Sequence, residues 1–224
     1  MPAIGLGLGL GLLRSGRFST PQLNARLLNI YGAGLTDLWT GDGVVFNGSE
    51  QATGWVGGVN AQAFTLFGTT YYNKTCVNGR VGILSPAATI KGFLHATLPA
   101  SKSLVVVAGM PALPSAAQHE LALVDGVTGP DASLLVTAGS STWYASGWTQ
   151  YRDGVATNAL ATGIHVYQAD KAANTTVGLR VGGWTGADTA YPGEILAVMA
   201  LSVVPTAEQR VLHTANFKSY YAIP

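Results

Sequence analysis

Charged residues are scarce in this chain of 224 residues: only 10% are Asp, Glu, Lys or Arg, and the formal net charge is +1. In ordinary soluble domains roughly a quarter of the residues are charged. Because the chain has no basic excess, the sequence predicts neither a nucleic-acid partner nor a polybasic membrane contact. A neutral, polar surface instead favours packing into an assembly, since charge repulsion would do little to keep copies apart.

Cysteine and long apolar runs are also lacking. Cys76 is the single cysteine, so an intrachain disulfide and a cysteine zinc cluster are excluded, and we expect a small buried apolar residue there. No run reaches the roughly 18 apolar residues that a membrane-spanning helix needs. The apolar run from Ile4 to Leu13 precedes Arg14 and Arg17, whereas a secretory signal carries its positive charge ahead of the run. We therefore predict no membrane span and synthesis in the cytoplasm.

The spacing of acidic residues and histidines does not indicate a catalytic or metal site. A glycoside hydrolase holds two carboxylates across the scissile bond, and no closely alternating acidic run is present. Spacing typical of zinc ligands is missing among the four histidines, which are His95, His119, His165 and His213. Asp125 or Asp188 would suit calcium, although a turn-stabilising role is the alternative for both. The sequence therefore predicts no enzymatic activity and no cofactor.

Short apolar runs separated by turn residues predict an all-β chain from about residue 38 onward. The pairs Asn78-Gly79 and Asp153-Gly154 predict tight turns between strands. The continuous LVVVA run from Leu104 to Ala108 predicts a central strand that is buried on both faces. Roughly a dozen short strands without interspersed helices favour two packed antiparallel sheets.

The stretch from Tyr191 to Tyr221 predicts a closing strand followed by the one good helix of the chain. Both faces of the segment from Gly193 to Leu201 are apolar, as expected for a strand between two layers. From Thr206 the pattern changes to a helical one, in which Thr206 and Gln209 predict a capping box. The apolar residues expected on the buried side of this helix are Val211, Leu212 and Ala215.

Leucine alternates with glycine near the N-terminus, which gives an extended chain one apolar edge and one bare backbone edge. The apolar residues of this arm are Ile4, Leu6, Leu8, Leu10, Leu12 and Leu13. Two interpretations stay open: an arm that pairs with a neighbouring subunit, or a weakly ordered leader. We predict that residues 1–35 form an anchoring and assembly region ahead of a β domain over residues 36–224. Within the first region, Pro21 to Ile30 suits either a short helix or an irregular connector.

Several motifs follow one another in a fixed order from about residue 38 to residue 223. They are Trp39 and Trp55, Asn78-Gly79, the LVVVAGM strand from Leu104, the TQYRDGVA hairpin from Thr149, and the closing GEILAVMAL strand with its AEQR helix. This order resembles the laminin-G-like branch of the concanavalin A-like lectin/glucanase superfamily. The resemblance implies a jelly-roll sandwich with one C-terminal helix. The chain departs from the family pattern at Pro205, where Ser is common, and at Ala197, where an acidic residue is common.

The resemblance, together with the Gly-Leu arm and the low charge, also suggests that the protein is part of a virus particle. Small virion proteins of tailed phages have a similar organisation, with the N-terminus attached to the particle and a jelly roll facing outward. We therefore predict a non-enzymatic virion protein of the tail tip, fibre or capsid surface. It is expected to be homo-oligomeric, to contact other virion proteins through the arm, and to contact a host-surface glycan. The alternatives are a free carbohydrate-binding lectin module and, third, a glycoside hydrolase.

Aromatic residues are the candidates for a sugar site, because sugars pack against ring faces. The densest aromatic patch lies between residues 143 and 151, and Trp184 and Tyr191 flank the loop from residue 183 to 190, which also contains Asp188. The predicted ligand-binding residues are Trp143, Tyr144, Trp148, Tyr151, Trp184 and Asp188. The alternative is cross-strand aromatic packing inside the sandwich.

Overall fold

The structure is a computed structural model that describes residues 18–68, 72–84, 92–97, 101–113, 119–124, 134–136, 142–144, 147–175, 178–182, 191 and 193–224. Over these ranges the chain forms two α-helices, α1 (Thr20–Tyr31) and α2 (Ala207–Tyr221), and otherwise mostly β-strands. The strands are β1 Leu35–Thr40, β2 Val44–Phe46, β3 Gln51–Val56, β4 Ala63–Gly68, β5 Tyr72–Val77, β6 Arg80–Leu84, β7 Gly92–Thr97, β8 Ser101–Met110, β9 His119–Val124, β10 Leu134–Val136, β11 Trp143–Tyr144, β12 Thr149–Arg152, β13 Val155–Ala156, β14 Gly163–Thr175, β15 Gly178–Val181 and β16 Glu194–Leu201. The predicted β-rich composition is confirmed.

The described strands are hydrogen-bonded in one continuous order, β11-β10-β9-β15-β7-β4-β3-β5-β6-β16-β8-β14-β12-β13, with β1 paired to β16 and β2 to β3. The pairings between these strands are antiparallel. Short hairpins account for part of this order, while β16 reaches its place between β6 and β8 only after the chain has passed through most of the sheet. Strands that are far apart in the sequence therefore end side by side.

The centre of the sheet is β8, which lies between β14 and β16. Its side chains are buried on both faces, as the continuous apolar run predicts. One face contributes Leu104 and Val106 to an inner cluster, which also contains Trp39, Trp55, Phe64, Tyr72, Tyr167 and Val198. The other face contributes Val105 and Val107 to a helix-side cluster, which also contains Leu23, Leu27, Met199, Phe217, Tyr220 and Tyr221. The two apolar clusters therefore lie on opposite sides of β8.

The closing strand β16 is buried between the same two clusters, so this prediction is confirmed. Its alternation is interrupted by a bulge between Ile195 and Ala197. The interruption places Leu196 and Ala197 together in the helix-side cluster, while Ile195 and Val198 belong to the inner cluster. A bulge adds one residue to a strand and so shifts which side chains face each layer.

The predicted C-terminal helix is confirmed as α2, but it is not the single helix of the chain, because α1 is a second helix of 12 residues. Leu23, Leu27 and Tyr31 form its buried side, at the spacing of an amphipathic helix. The helix runs beside α2, and Gln209 of α2 donates a hydrogen bond to the Ile30 carbonyl at 3.1 Å. Of the two interpretations of Pro21 to Ile30, the structure therefore shows the helix.

Helix α2 begins as predicted but buries a different face. Thr206 Oγ1 accepts a hydrogen bond from the Gln209 amide at 3.2 Å, and Gln209 Oε1 accepts one from the Thr206 amide at 2.9 Å, which confirms the capping box. Val211 and Leu212, however, are 61% and 45% exposed. The buried residues are instead His213, Thr214, Phe217, Tyr220 and Tyr221. Aromatic side chains, which reach further than aliphatic ones, fill the space against the sheet.

Local turn chemistry predicts both hairpins correctly. Asn78 and Gly79 join β5 to β6, and Asp153 and Gly154 join β12 to β13, all four with positive φ. The sequence does not predict strand β5, because YNKTCV contains too few apolar residues to show the alternation of a strand. Cys76 on that strand is exposed, so the prediction of a buried cysteine is wrong.

Neither helix in the described part of the chain has the length and apolar character needed to cross a membrane. The predicted arm residues Ile4, Leu6, Leu8, Leu10, Leu12 and Leu13 lie outside the described residues.

Candidate functional site

The two tryptophans of the predicted sugar site are core residues. Trp143 is 3% exposed and Trp148 is 6% exposed, and both belong to the inner cluster. The Trp143 ring meets the Tyr167 ring edge-on, with centroids 5.1 Å apart. Trp143 and Trp148 therefore pack in the core, as in the alternative interpretation of aromatic packing, and their ring faces are not open to a ligand.

The other predicted ligand residues lie elsewhere or outside the described part. Tyr151 is half-buried on β12, and the Arg210 guanidinium lies 4.2 Å from its ring centroid. The Tyr144 side chain, Trp184 and Asp188 are outside the described residues, so their role stays a prediction.

A pocket of about 440 Å³ opens at one end of the central strands. It lies where β6 and β8 end and where β14 and β16 begin, because the register pairs Glu194 with both Leu84 and Gly109. Its lining residues are Leu84, Gly109, Met110, Pro111, Thr162, Gly163, Ile164, Gly193 and Glu194. We call it the strand-end pocket.

Glycine keeps the strand-end pocket open. A side chain at Gly193 would clash with the Gly109 carbonyl, and one at Gly109 would meet the Glu194 carboxylate and the Ile164 side chain. The buried Tyr191 hydroxyl donates a hydrogen bond to the Gly109 carbonyl at 3.1 Å, which holds the backbone of the lining at this point. Burial raises the pKa of Tyr191 well above its usual value, so this hydroxyl remains a donor. The pocket therefore presents bare backbone in a fixed arrangement.

Glu194 is the charged residue in the lining of the strand-end pocket. It is half-buried at the first position of β16, and the residues that follow it in the strand are buried and apolar. An ionised carboxylate only accepts hydrogen bonds, so it selects ligand groups that donate them. Around it Leu84, Ile164 and Pro111 supply apolar surface. A carboxylate set in apolar and bare-backbone surface suits a compact ligand with both hydroxyl groups and CH faces.

An Asp–His pair holds the segment that forms one wall of the pocket. His165 Nδ1 lies 2.6 Å from Asp153 Oδ2, and His165 Nε2 lies 3.0 Å from the Thr162 carbonyl. Both partners are acceptors, so the two bonds form together only when both ring nitrogens carry hydrogen. Burial acts to raise the pKa of Asp153, but hydrogen bonds from His165 and Val166 outweigh it and hold the pKa below its usual value. The pair thus fixes the turn that leads into Gly163.

A second polar cluster lies beneath α2 and connects this helix to the sheet. Asp170, 5% exposed, accepts hydrogen bonds from Ser103 at 2.6 Å and Gln168 at 2.7 Å, and it pairs with Arg210 at 3.1 Å. Because the buried carboxylate has two neutral donors and a cation, it is fully satisfied. Its position between β8, β14 and α2 makes this cluster a structural connection between the layers.

His213 is a buried polar residue of α2 that faces α1. It is fully buried, and its Nδ1 lies 2.6 Å from the Tyr31 hydroxyl of α1. Burial, with a smaller contribution from the Arg210 charge, lowers the pKa of His213 to about 3. The ring is therefore neutral near pH 7 and accepts a hydrogen bond from Tyr31, whose pKa burial raises above its usual value.

Metal-binding clusters of three or more His, Cys, Asp or Glu side chains are not found within the described ranges. The two calcium candidates, Asp125 and Asp188, lie outside those ranges, so calcium binding there stays an open prediction.

The sequence contains a signal for the strand-end pocket that aromatic density does not reveal. Glu194 is a single charged residue that opens an otherwise apolar strand, directly after Gly193. A charge in that position is found at a strand end, where a carboxylate can reach solvent. The residues that surround it come from other strands, so their identity follows only from the sheet order.

Comparison with known proteins adds a weak structural likeness. No protein-family model and no curated protein matches the sequence. Two solved structures are similar: Trypanosoma rangeli sialidase in complex with sialic acid, at 13% identity and a TM-score of 0.46, and the same sialidase with the inhibitor DANA, at 14% identity and a TM-score of 0.44. They match 88% and 83% of this chain, which spans only 37% and 33% of the sialidase chains.

These matches bear on one prediction. Because both similar proteins are sialidases, the prediction that the chain has no enzymatic activity is contradicted, and it is not retained below. The TM-scores are too low to transfer a substrate or a mechanism, so the comparisons identify this chain only as one with a distant structural likeness to part of a sialidase.

Proposed function

We propose that this chain is a structural protein of a tailed-phage virion, at the tail tip, a fibre or the capsid surface, with a concanavalin A-like jelly roll that contacts a neutral glycan. The observation that carries the glycan contact is the strand-end pocket, which combines the Glu194 carboxylate with bare backbone and an apolar rim. Homo-oligomers and contacts with other virion proteins through the N-terminal residues are part of the proposal.

The sandwich arrangement is supported by contacts between the two ends of the strand order. Trp143 on β11 stands at one end and Tyr167 on β14 near the other, yet their rings are in direct contact. Leu134 and Leu179 share the inner cluster with Val106 in the same way. Shared core contacts between distant strands support a sheet that folds over itself into the two layers of a jelly roll.

A neutral sugar suits the pocket better than an acidic one. Its hydroxyl groups donate hydrogen bonds to the Glu194 carboxylate, and its CH faces pack on Leu84, Ile164 and Pro111. A sialylated or uronic-acid glycan would bring a second negative charge close to Glu194, which costs binding energy in a partly buried site. We therefore expect selection for uncharged oligosaccharides.

Replacing Glu194 by Gln should weaken binding of neutral oligosaccharides by roughly tenfold, because a hydrogen bond to a charged acceptor contributes about 1.5 to 3 kcal/mol. The measurement is a glycan array containing neutral and sialylated oligosaccharides, followed by titration calorimetry with the best neutral glycan. Product analysis on the same samples reports any cleavage.

Glu208→Gln is the matched control, since Glu208 is an exposed glutamate in the first turn of α2 and does not line the pocket. It should bind like the unmodified protein. The glycan proposal fails if the array retains no neutral oligosaccharide, or if Glu194→Gln binds as tightly as the control.

The virion setting is supported by the low charge and the Gly-Leu alternation before Phe18. Deleting residues 1–17 should abolish incorporation into particles while leaving the circular dichroism spectrum of the purified protein β-rich. Immunoblotting of purified particles, with the full-length tagged protein as the reference, measures incorporation. Retention of the truncated protein in particles would remove the assembly role of the arm, whatever the result of the glycan experiment.

A further inference from the structure

Helices α1 and α2 present apolar side chains to the outside, away from the sheet that they cover. Leu212 is 45% exposed on α2, although aliphatic residues in a helix that covers a sheet normally face inward. The aromatic face of α2 occupies the inward side, so Leu212 and Ala215 are left on the outer side. Next to them on α1 lies Ile30, which is only partly buried.

These residues form a groove between the two antiparallel helices, which we call the helix groove. Its volume is about 360 Å³, and its lining residues are Arg26, Asn29, Ile30, Leu212, Ala215, Asn216 and Ser219. Arg26 Nη1 donates a hydrogen bond to Asn216 Oδ1 at 3.2 Å, so these two exposed polar groups connect the helices at the rim of the groove. Ile30, Leu212 and Ala215 make the middle of the groove apolar, with polar groups along its rim.

The chain enters the described structure at the edge of this groove. Phe18 is 7% exposed, with its ring centroid 4.3 Å from the Arg26 guanidinium and 5.7 Å from the Tyr220 ring. Arg80 donates a hydrogen bond to the Phe18 carbonyl at 2.5 Å, which fixes the backbone at this point. Since Arg26 also lines the helix groove, Phe18 lies directly beside the groove.

We propose that the helix groove holds the Gly-Leu segment of the same chain, residues Ile4 to Leu13. An extended chain places alternate side chains on one edge about 7 Å apart. The groove runs roughly 10 Å along α2 from Leu212 to Ser219, at about 1.5 Å per residue. Two successive leucines of the segment therefore fit over the apolar middle of the groove.

The polar rim of the helix groove suits the bare backbone edge of the Gly-Leu segment. Asn29 and Ser219 are exposed at the rim and offer donors and acceptors for peptide groups. Glycine at every second position, as between Leu6 and Leu12, leaves those peptide groups bare for such contacts. An apolar floor with polar rim groups is the arrangement that recognises an extended peptide with alternating side chains.

The segment of the same chain is favoured over that of a neighbour by its proximity. Only residues 14–17 separate Leu13 from Phe18, and four extended residues span roughly 13 Å. A short flexible connection gives an effective concentration on the order of millimolar, which exceeds the concentration of other copies in dilute solution. The groove would thus shield the leucine edge on each free subunit. This inference goes beyond the proposed function and does not depend on the glycan pocket.

Disulfide trapping tests the proposal. In a Cys76→Ser background, which removes the exposed native thiol, Leu212→Cys is combined in turn with Leu6→Cys, Leu8→Cys, Leu10→Cys and Leu12→Cys. At least one pair should oxidise to an intrachain disulfide, seen as a monomer of altered mobility on a non-reducing gel and located by peptide mass spectrometry. The series of four covers the possible registers of the segment in the groove.

The matched control replaces Leu212→Cys by Thr53→Cys, since Thr53 is also exposed but lies on β3. We expect at least tenfold more intrachain disulfide with Cys at position 212 than with Cys at position 53. Interchain dimers as the main product would assign the groove to the segment of a second copy and overturn the proposal. Equal trapping at both positions, or none at either, would also overturn it.

Discussion

Acidification is expected to destabilise the folded protein through His213, with most of the loss between pH 6.5 and pH 3. Burial lowers the pKa of this histidine from 6.5 to about 3. In the unfolded chain the ring takes up a proton as the pH falls through about 6.5, whereas in the folded chain it stays neutral until about pH 3. The free energy of unfolding therefore falls by about 1.4 kcal/mol per pH unit across this window, roughly 4 to 5 kcal/mol in total.

The physical cause is the environment between α1, α2 and the sheet. The His213 ring is fully buried, and the rings of Tyr31 and Phe217 pack around it with centroids 6.1 Å and 6.4 Å away. The charge that acts on it is the Arg210 guanidinium, which disfavours a second positive charge. A protonated ring would have no carboxylate partner among the contacts described for it, so protonation favours unfolding.

Chemical denaturation between pH 8 and pH 3.5 measures this effect. His213→Gln removes the titrating group, and its stability should decline less steeply with falling pH than that of the unmodified protein. Tyr31→Phe is the control, because it deletes the hydroxyl next to the ring but leaves the histidine buried, so the steep decline should persist. Parallel curves for the unmodified protein and His213→Gln would contradict the buried neutral histidine.

The part of the fold that the sequence predicts is the part that local chemistry determines. Asn78-Gly79 and Asp153-Gly154 require positive φ and so identify their hairpins. The run from Leu104 to Ala108 is apolar on both faces and so identifies the central strand. The sequence does not decide between a helix and a connector for Pro21 to Ile30, because the segment is short and the stability of α1 comes from packing against α2 and β1.

The hydrophobic pattern of α2 does not predict which face of the helix is buried. Aliphatic residues lie on one side of this helix and aromatic residues on the other, so its hydrophobicity does not select a face. The choice depends on the surface that the helix covers, where Val105, Val107 and Met199 leave room for large rings. That surface is assembled from strands far apart in the sequence, and the pattern of α2 alone cannot describe it.

The candidate site was only partly predictable for the same reason. Aromatic density does not separate a ring on the surface from a ring in the core, because successive residues of a strand point to opposite faces. Trp143 on β11 and Trp148, directly before β12, are both core residues. The strand-end pocket depends on the pairing of Glu194 with Gly109, which are 85 positions apart and meet only through the order of the sheet.

Replacing Asp37 by Ala is expected to be among the most destabilising single substitutions in the chain. Its carboxylate is fully buried and accepts hydrogen bonds from four backbone amides. The donors and their distances are Leu38 at 2.7 Å, Val59 at 3.0 Å, Asn60 at 3.2 Å and Gln62 at 2.7 Å. The carboxylate thereby attaches the loop from residue 57 to 62 to strand β1.

Alanine would leave these amides without their acceptor in a partly buried loop. A hydrogen bond to a charged group contributes about 1.5 to 3 kcal/mol, and an unsatisfied buried donor costs a similar amount, so a loss of roughly 4 kcal/mol or more is expected. Asp37→Asn keeps the size and one acceptor oxygen but turns an amide NH₂ toward the Gln62 donor. It should therefore cost less, roughly 2 kcal/mol, and remain folded if the alanine variant does not.

The effect on the loop separates this role from a general loss of stability. Trp39 Nε1 donates a hydrogen bond to the Gln62 carbonyl at 2.8 Å, so loosening the loop should alter the fluorescence of this buried tryptophan. Hydrogen exchange at Val59 and Gln62 should accelerate in Asp37→Asn before the core strands are affected. Asp42→Asn is the control, because Asp42 is an exposed carboxylate that contacts the Thr20 hydroxyl and should cost less than about 1 kcal/mol. If Asp37→Asn and Asp42→Asn proved equally stable, the carboxylate at position 37 would not hold the loop.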